Sequence, residues 1–419
     1  MKKHLIFVLL IASMLSGCVK SINSDHTKQS NDFIKVSGKD LVNSKGEKYF
    51  IQGVNIGQWL NPEGYMFRFH KTNSPRFINE LICQIGGPEF ATDFWQSYKD
   101  NYITQKDIEF IASTGANTIR LPFHYKLFTN EDYLGLYENQ DGFARIDSAV
   151  AWCKAAGLRL ILDMHDCPGG QTGDNIDDSY GYPWLFESEK CQQQFCDIWV
   201  KIADYYKNEP VILGYELMNE PIPHYLENKE ELIKKIEPLY KRATSAIRDV
   251  DTNHIIILGG AQWNTRFDCF TDYSFDDNIM YSCHFYGGPA CQEALQCYVD
   301  FRDKVNLPMY MGETGHGTYE WLHDMSVLMN KNNIGWTYWP IKKVEKSAWL
   351  EIKRPENWDH VLDYSEADRV SYREIQAAAK MYDLKELQQS LLEYLENCKF
   401  ENCLIDTTYI QSIGLRVGE

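Results

Sequence analysis

Short runs of apolar and β-branched residues alternate with longer amphipathic stretches along most of this 419-residue chain. Such alternation is typical of strands that are each followed by a helix, because neighbouring parallel strands need a helical crossover between them. The eight apolar runs lie at residues 50–56, 117–121, 158–164, 211–218, 254–258, 279–285, 308–312 and 334–339. Eight is the strand number of a (β/α)8 TIM barrel, so the pattern predicts an α/β fold of this kind.

Amphipathic helical patterns fill most of the intervals between these runs. They cover residues 105–113, 146–156, 191–206, 230–250, 292–305 and 321–329, and a further one covers 371–395. Several are followed by the Gly or Asn that commonly ends a helix. A doubly wound open sheet would alternate in the same way, but here no GxGxxG follows the first run and no break marks a second domain. The barrel is therefore the favoured architecture.

The segments before and after the eight apolar runs can also be assigned from the sequence. Residues 33–51 show a β-hairpin pattern with a turn at 43–46, and we predict that this hairpin closes the bottom of the barrel. The segment after about Ser371 carries no sign of chemistry, so we expect it to complete the barrel wall and to end in a short capping segment. Residues 33–419 are thus predicted to form a single barrel domain.

The N-terminus has the pattern of an export signal. Two lysines precede an apolar run from Leu5 to Leu15, which is too short to span a bilayer. Residues 15–18 resemble a bacterial lipoprotein box, in which cleavage before Cys18 leaves a lipid-modified N-terminus; an ordinary secretory signal with a chance cysteine is the alternative. We predict a signal peptide at 1–17, then the lipidated cysteine and a flexible tether at 18–32. The protein is then exported and lipid-anchored at the bacterial cell envelope, facing the periplasm or the cell surface.

The overall charge restricts the partners. A net charge of −17 and a pI near 5.1 argue against nucleic acid and against an anionic membrane surface, because both would repel the chain. Membrane contact is therefore expected only through the lipid anchor. A hydrophobic content of 44% supports a large folded core. Aromatic residues make up 14% of the chain. Most of them are expected to pack in the core, but flat rings also suit stacking against sugar faces.

Eleven cysteines remain after Cys18, without any CxxC pair. An odd number cannot all pair within one chain. Export permits disulfides, but several of these cysteines lie in apolar strand or helix patterns, where a buried thiol is the ordinary outcome. Cys291 with Cys297, and Cys398 with Cys403, could form local bridges, and the pairing stays open.

Polar residues follow six of the eight apolar runs, where a barrel carries its active site. They are Arg120, Asp163 with His165, Asn219 with Glu220, His284 with Tyr286, Glu313, and Trp339. Singly, Arg120 could be a rim ion pair, His165 a core histidine and Trp339 a packing residue. A carboxylate directly after an apolar strand points into the barrel mouth, where burial is costly unless the group is paired or functional. Glu220 and Glu313 are therefore the strongest candidates.

Two glutamates on the fourth and seventh strands suit glycoside hydrolysis. This reaction needs two carboxylates on either side of the scissile bond, one protonated and the other ionised. Arg120 can keep a nucleophilic carboxylate ionised, Tyr286 can donate a hydrogen bond to it, and Asn219 can hold a sugar hydroxyl. His165 and His284 would complete the polar network around the sugar. The expected ligand is a carbohydrate, and no cofactor is expected.

These residues resemble a known family. Residues 213–221, with the sequence LGYELMNEP, look like the acid/base signature of glycoside hydrolase family 5, a cellulase-like family of the clan with glutamates on strands four and seven. The family's recurring Arg, His, His-x-Tyr, Glu and Trp are matched in order over roughly residues 50–340 by Arg120, His165, His284 with Tyr286, Glu313 and Trp339. The resemblance implies a retaining β-glycosidase in polysaccharide catabolism, with Glu313 as nucleophile, Glu220 as acid/base and no metal ion.

Within the family, residues 53–60 and 163–173 resemble the glucan-active branch that includes exo-β-1,3-glucanases. The implied substrate is a β-glucan or β-gluco-oligosaccharide. That branch often has a small residue where this chain has Asp166, and the loop at 169–186 is long. Cellulose, mannan or another β-linked glycoside therefore stay open as substrates, as do linkage, exo or endo action and oligomeric state.

Two other classes of function remain as alternatives. A metal-dependent barrel hydrolase could use Asp163, His165, His284 and Glu313 as ligands, although the close His pair expected on an early strand is missing from residues 53–57. A surface lipoprotein that binds glycans without cleaving them is the other alternative. Five tryptophans are candidates for stacking against a sugar ring, although each could instead pack in the core. They are Trp59, Trp184, Trp263, Trp339 and Trp349.

Overall fold

The structure is a computed structural model that describes residues 32–135 and 141–418. The predicted signal peptide, Cys18 and the tether up to residue 31 lie outside the described residues. The described chain begins with a small antiparallel sheet of β1 (Lys35–Ser37), β2 (Asp40–Val42) and β3 (Lys48–Tyr49). Leu41 belongs to one buried apolar cluster with Ile161 and Leu213, which lie in the amino-terminal halves of two barrel strands. The prediction that this hairpin closes the bottom of the barrel is confirmed.

Eight parallel strands then close into a barrel. In chain order, β4 to β11 are Gln52–Asn55, Thr118–His124, Arg159–Asp166, Ile212–Glu216, Ile255–Gly259, Ile279–Phe285, Met309–Thr314 and Gly335–Tyr338. Each strand pairs with the next, and β11 returns to β4 with Trp336 opposite Gln52. The predicted TIM barrel and all eight of its strands are confirmed, with differences only at strand ends.

Helices surround the barrel. They are Gly64–Phe67, Pro75–Tyr102, Gln105–Ser113, Asp141–Ala156, Glu189–Tyr206, Lys229–Ile233, Ile236–Arg248, Gln292–Val305, Tyr319–Lys331, Trp358–Glu366, Tyr372–Met381, Leu384–Asn397 and Thr407–Ser412. The continuous helix predicted at 230–250 is wrong, because Pro238 lacks the N–H that a helix interior requires and lies instead in the first turn of a second helix. The helix predicted at 371–395 is also two helices, and Asp383 caps the second by accepting a hydrogen bond from the Lys385 N–H.

The C-terminal segment covers the outside of the barrel rather than filling a gap in its wall. Helix Leu384–Asn397 packs on helix Pro75–Tyr102, where the Tyr394 and Tyr98 rings are stacked 6.4 Å apart. A second small sheet is formed by β12 (Lys342–Val344), β13 (Leu350–Ile352) and β14 (Leu404–Ile405). Across the described residues, none of the helices has the length and apolar content needed to span a bilayer.

All eleven cysteines in the described part of the chain are free thiols, so the two suggested local bridges are wrong. Cys291 precedes helix Gln292–Val305 and Cys297 lies within it. Six residues of helix separate their Cα atoms by about 9 Å, beyond the reach of a disulfide. The Cys398 thiol faces the Leu395 carbonyl at 3.3 Å, and the Cys403 thiol faces the Asn397 carbonyl at 3.5 Å.

A buried ion pair joins the C-terminal segment to the barrel. Lys342 Nζ lies 2.5 Å from Asp107 Oδ1, and both side chains are fully buried. The same ammonium group donates to the carbonyls of Tyr102 at 2.7 Å and Cys398 at 2.9 Å. Asp107 in turn accepts the backbone N–H of Thr104 and so caps helix Gln105–Ser113. One cation therefore connects three separate segments.

Lys342→Met is expected to lower the free energy of unfolding by about 3–5 kcal/mol, because it leaves the Asp107 carboxylate buried without its partner. Chemical denaturation followed by circular dichroism measures this loss. Lys106→Met is the matched control, since it breaks the exposed Lys106–Glu401 pair and should cost at most about 1 kcal/mol. Equal losses in the two variants would contradict the structural role of Lys342.

Candidate active site

A cavity of about 640 Å³ opens at the carboxyl ends of the barrel strands. Its lining residues are Glu63, Tyr65, His165, Ile176, Glu220, Trp263, Thr265, His284, Tyr286, Gly287, Glu313, His316 and Trp339. Six of the eight predicted site residues are among them. The other two, Arg120 and Asn219, are fully buried beneath the cavity and contact the residues that line it.

Arg120 on β5 lies at the centre of the site floor, and its guanidinium is fully buried. It donates to Glu313 Oε1 at 2.7 Å, to both oxygens of Glu216 at 2.9 and 3.1 Å, and to Asn219 Oδ1 at 2.8 Å. Asp163 Oδ2 is 3.0 Å away. A buried cation requires counter-charges, and here they come from the neighbouring strand β6 and from β7 and β10 across the barrel.

Glu313 on β10 is held at both carboxylate oxygens. Arg120 binds Oε1, and the Tyr286 hydroxyl donates to Oε2 at 3.0 Å. A β-bulge beside Glu313 brings this residue opposite His284 on β9. A guanidinium and a phenol that both donate to one carboxylate stabilise its ionised form. The arrangement therefore gives the buried Glu313 carboxylate a donor at each of its two oxygens.

Glu220 follows β7 and has a different environment. Its backbone lies in the left-handed region with φ of +47°, which is uncommon for a residue with a side chain. Its carboxyl oxygen Oε1 is 2.7 Å from His284 Nδ1. Burial raises the pKa of Glu220 to about 7, although His165 and Arg120 act in the opposite direction. This carboxyl group can thus hold a proton near neutral pH, whereas Glu313 is paired with a cation.

His284 connects the two carboxyl groups. Its Nδ1 lies 2.7 Å from Glu220 and 3.7 Å from Glu313 Oε2. On the opposite side of the ring, the Asn264 side-chain amide lies 3.2 Å from Nε2. An amide N–H that donates to Nε2 leaves the ring proton on Nδ1, where it points at Glu220. Burial lowers the pKa of His284, so the ring is neutral in this arrangement.

The two carboxyl groups are close enough to act on one bond. One donor atom each from Glu220, His284 and Glu313 lies within 4.8 Å of the others. In the described part of the chain these three residues are the group that could hold a metal ion. A cation placed there would also face the Arg120 guanidinium, which is 2.7 Å from Glu313. Asp163, proposed above as a metal ligand, faces Arg120 and His165 instead.

Trp339 and His165 form an aromatic wall of the cavity. Their rings are stacked with centroids 5.5 Å apart, and Asp163 fixes the other side of His165 through Nδ1 at 2.8 Å. The Trp339 indole N–H donates to the Tyr65 hydroxyl. Gly57 makes this position available, because a Cβ at this residue would lie 2.4 Å from the Trp339 ring. A flat aromatic wall beside hydrogen-bonding groups suits a sugar ring.

The other aromatic candidates separate into two groups. Trp263 lines the cavity, as does Trp339. Trp59 and Trp349 are fully buried in the core, where Trp59 donates to the Lys99 carbonyl, so both have the packing role. Trp184 is 48% exposed, contacts Tyr182 with the two rings tilted by 59°, and is not among the cavity-lining residues.

Several site residues were missed from the sequence. Glu63 and His316 line the cavity from loops after β4 and β10, and Tyr65 lines it from the short helix Gly64–Phe67. No periodic pattern marks these three positions. Burial raises the pKa of Glu63 well above its usual range, and the negative charges of Glu313 and Glu220 add to this effect. Glu216 had a usable signal, because it stands four residues before Glu220 within the recognised motif.

Comparison with known proteins identifies relatives of this chain. The profile of Cellulase (glycosyl hydrolase family 5) matches residues 82–344. A β-xylosidase from Phanerodontia chrysosporium is 25% identical over 358 residues, 77% of this chain and 73% of that protein. Endoglucanase C from Acetivibrio thermocellus is 27% identical over 323 residues, 62% of this chain and 90% of that protein. A glucan 1,3-β-glucosidase from Kluyveromyces lactis is 28% identical over 251 residues, 56% of this chain and 54% of that protein.

Solved structures support the fold. An endoglucanase from Thermotoga maritima superimposes with a TM-score of 0.52 and 19% identity, covering 75% of this chain and 96% of that chain. The shared architecture is the (β/α)8 barrel.

Proposed function

Since this chain belongs to the cellulase family, glycosyl hydrolase family 5, we propose that it cleaves β-glucosidic bonds in a β-glucan or β-gluco-oligosaccharide with retention of configuration. Family membership makes the protein a glycosidase that hydrolyses O-glycosyl compounds. The endoglucanase and the glucan 1,3-β-glucosidase among its relatives support a glucan as substrate. The β-xylosidase relative makes a xylan the second candidate.

The observation that carries the retaining mechanism is the spacing of the two glutamates. One carboxyl oxygen of Glu220 lies within 4.8 Å of one carboxyl oxygen of Glu313. Retaining glycosidases separate these groups by about 5–5.5 Å, whereas inverting enzymes need about 6.5–9.5 Å to admit a water molecule. We assign Glu313 as nucleophile, because Arg120 and Tyr286 both stabilise its charged form, and Glu220 as the acid/base.

The proposed reaction has two steps. Glu313 attacks the anomeric carbon while the bond to the leaving oxygen breaks, and that oxygen takes the proton of Glu220. In the second step, water attacks the same carbon, Glu220 takes a proton from this water, and the bond to Glu313 breaks. The His284 N–H that faces Glu220 stabilises the charge left after the first proton transfer.

The remaining site residues have positioning and binding roles in this proposal. Asn219 is held by Arg120 through Oδ1 and lies 3.3 Å from His165 Nε2 through its amide nitrogen. Asn219 therefore positions Arg120 and His165 from beneath the cavity. Trp339 and His165 provide the wall for that sugar.

A panel of β-1,3-, β-1,4- and β-1,6-linked glucans, beside mannan and xylan, tests the substrate class with products resolved by chain length. We expect release of glucose or gluco-oligosaccharides from one or more glucans. Cleavage of xylan or mannan with no cleavage of glucan would contradict the proposed substrate, and binding without any cleavage would favour the non-catalytic alternative.

Glu313→Ala should abolish turnover. Glu220→Ala should slow substrates with poor leaving groups by about 10²- to 10⁴-fold and activated aryl glycosides far less, because only the former need an acid. In the wild type, kcat/KM for poor leaving groups should fall as pH rises through about 7, since Glu220 then loses its proton. Glu227→Ala removes an exposed glutamate that does not line the cavity, so as the control it should keep the wild-type activity on both substrate types. Equal losses on both substrate types in Glu220→Ala would contradict its role as acid.

We also propose that the protein is exported and held at the bacterial cell envelope by a lipid on Cys18, as the N-terminal pattern predicts. Cys18→Ser should move the protein from the membrane fraction to the soluble fraction of fractionated cells. An unchanged distribution in that variant, or a soluble wild type, would contradict the anchor.

A further inference from the structure

Gln171, on the loop between β6 and β7, is a fully buried polar residue to which the proposed reaction assigns no role. Its side-chain amide donates to the His165 carbonyl at 2.6 Å and to the Asn219 carbonyl at 2.9 Å. Its Oε1 accepts the Cys167 N–H at 3.0 Å. Both N–H donors and the oxygen of the amide are therefore used. The Asn219 carbonyl belongs to the peptide bond that leads into Glu220, so this side chain joins the end of β6 to the backbone of the acid/base.

The backbone of Gln171 holds the other side of the same turn, because its carbonyl accepts the Ile222 N–H at 3.0 Å. Glu220 and Ile222 both have left-handed backbones, with φ of +47° and +55°. This region is uncommon for any residue with a side chain and is an outlier for a β-branched one such as isoleucine. Such conformations persist where the surroundings hold them, which is frequent at active sites. Here Gln171 binds the turn on both sides of Glu220.

The same turn leads on to the ring that faces the acid/base. The Ile222 carbonyl accepts the Gln262 N–H at 2.9 Å. Two residues further along, the Asn264 side-chain amide lies 3.2 Å from His284 Nε2, and the other ring nitrogen of His284 faces Glu220 at 2.7 Å. The carboxyl group and its ring partner are therefore linked by one series of hydrogen bonds, which begins at the loop after β6.

The loop that carries Gln171 is itself held in place. Gly170 has a left-handed backbone with φ of +80°, and a Cβ at this position would lie 2.1 Å from the Ser179 side chain. Asp177 accepts the backbone N–H of Thr172 at 2.5 Å and its hydroxyl at 2.8 Å. These contacts fix the backbone on both sides of Gln171 and are present without a bound sugar.

We propose that Gln171 is a positioning residue for the acid/base: its amide fixes the turn that carries Glu220 and so directs that carboxyl group at the leaving oxygen and at the His284 N–H. This inference rests on the proposed function and deepens it. Gln171 is not among the cavity-lining residues, so it acts through the groups that it holds. Proton transfer requires hydrogen-bonding distance, and a misplacement of about 1 Å can cost about 10²-fold in rate.

The test compares kcat/KM for a glucoside with a poor leaving group and for an activated aryl glucoside. Gln171→Met removes the amide at similar length, and Gln171→Glu keeps the shape but replaces the nitrogen by oxygen. Each variant should lower the poor-to-activated ratio by about ten- to hundredfold, because only the poor leaving group needs a proton. Both rates come from one sample, so the ratio does not depend on the folded fraction, which circular dichroism verifies.

The pH profile gives a second readout that a loss of stability alone would not move. Burial raises the pKa of Glu220 to about 7. When the turn relaxes in Gln171→Met, the carboxyl group gains access to the open cavity, where better solvation lowers its pKa towards the ordinary value. The protonated acid is then lost earlier as pH rises. In this variant, kcat/KM for the poor leaving group should therefore begin to fall at a lower pH than in the wild type.

Asn117→Leu is the matched control. The Asn117 amide also joins two segments, through the Gln52 N–H at 2.9 Å and the Phe50 carbonyl at 2.8 Å, but it does so where β5 begins, at the bottom of the barrel. This variant should lose thermal stability and keep the wild-type ratio and pH profile. An equal fall of the ratio in Asn117→Leu would overturn the positioning role, because general loosening would then explain the effect.

An unchanged ratio and pH profile in both folded Gln171 variants would also overturn the positioning role. The proposed function would still stand in that case if Glu220→Ala lowers the same ratio. A wild type that cleaves no β-glucoside would contradict the proposed function and this inference with it.

Discussion

The buried guanidinium of Arg120 is the interaction on which the floor of the barrel depends. One cation lies within hydrogen-bonding distance of three carboxyl groups, Asp163, Glu216 and Glu313. Burial raises the pKa of Asp163 well above its usual range. Burial also opposes the charge on Glu216, but Arg120, with contributions from His284 and the Tyr310 hydroxyl, lowers the pKa of that residue. The strands must therefore keep their register, because a shift would leave charge without a partner in a low-dielectric interior.

The fold and most of the candidate site were predictable from sequence, for a physical reason. Strands of a parallel barrel are buried on both faces, so they appear in the sequence as continuous apolar runs. The residues at the carboxyl ends of these runs lie at the mouth of the barrel. Glu220 and Glu313 could thus be located without a structure. Helix Pro75–Tyr102 was missed because Gly86, Gly87 and Pro88 interrupt its pattern, and Gly87 does have a non-helical backbone there.

The site residues outside the strands could not be predicted either, since their position depends on tertiary contacts that leave no periodic signal in the sequence. Glu63 and Tyr65 come from the segment that follows β4, where Tyr65 lies in the short helix Gly64–Phe67, and their place beside Trp339 follows only from the folded barrel. Asn264 is a stronger example. Its contact with His284 requires a left-handed backbone, for which nothing in the local sequence is diagnostic. Local sequence therefore identified the two acids and the side chains of Arg120, Tyr286 and His284 that contact them. It did not identify Asn264, which contacts the His284 ring, or Glu63.

The close approach of Gly57 to the Trp339 ring also limits how this site can change. Any larger side chain at Gly57 would displace the indole and break its contacts with His165 and Tyr65. This side of the cavity is consequently closed to stepwise variation, whereas Thr265 lines the cavity after β8 from an exposed position that tolerates substitution. Descendants or designed variants with altered preferences should accumulate their changes on the β8 side and retain glycine at position 57.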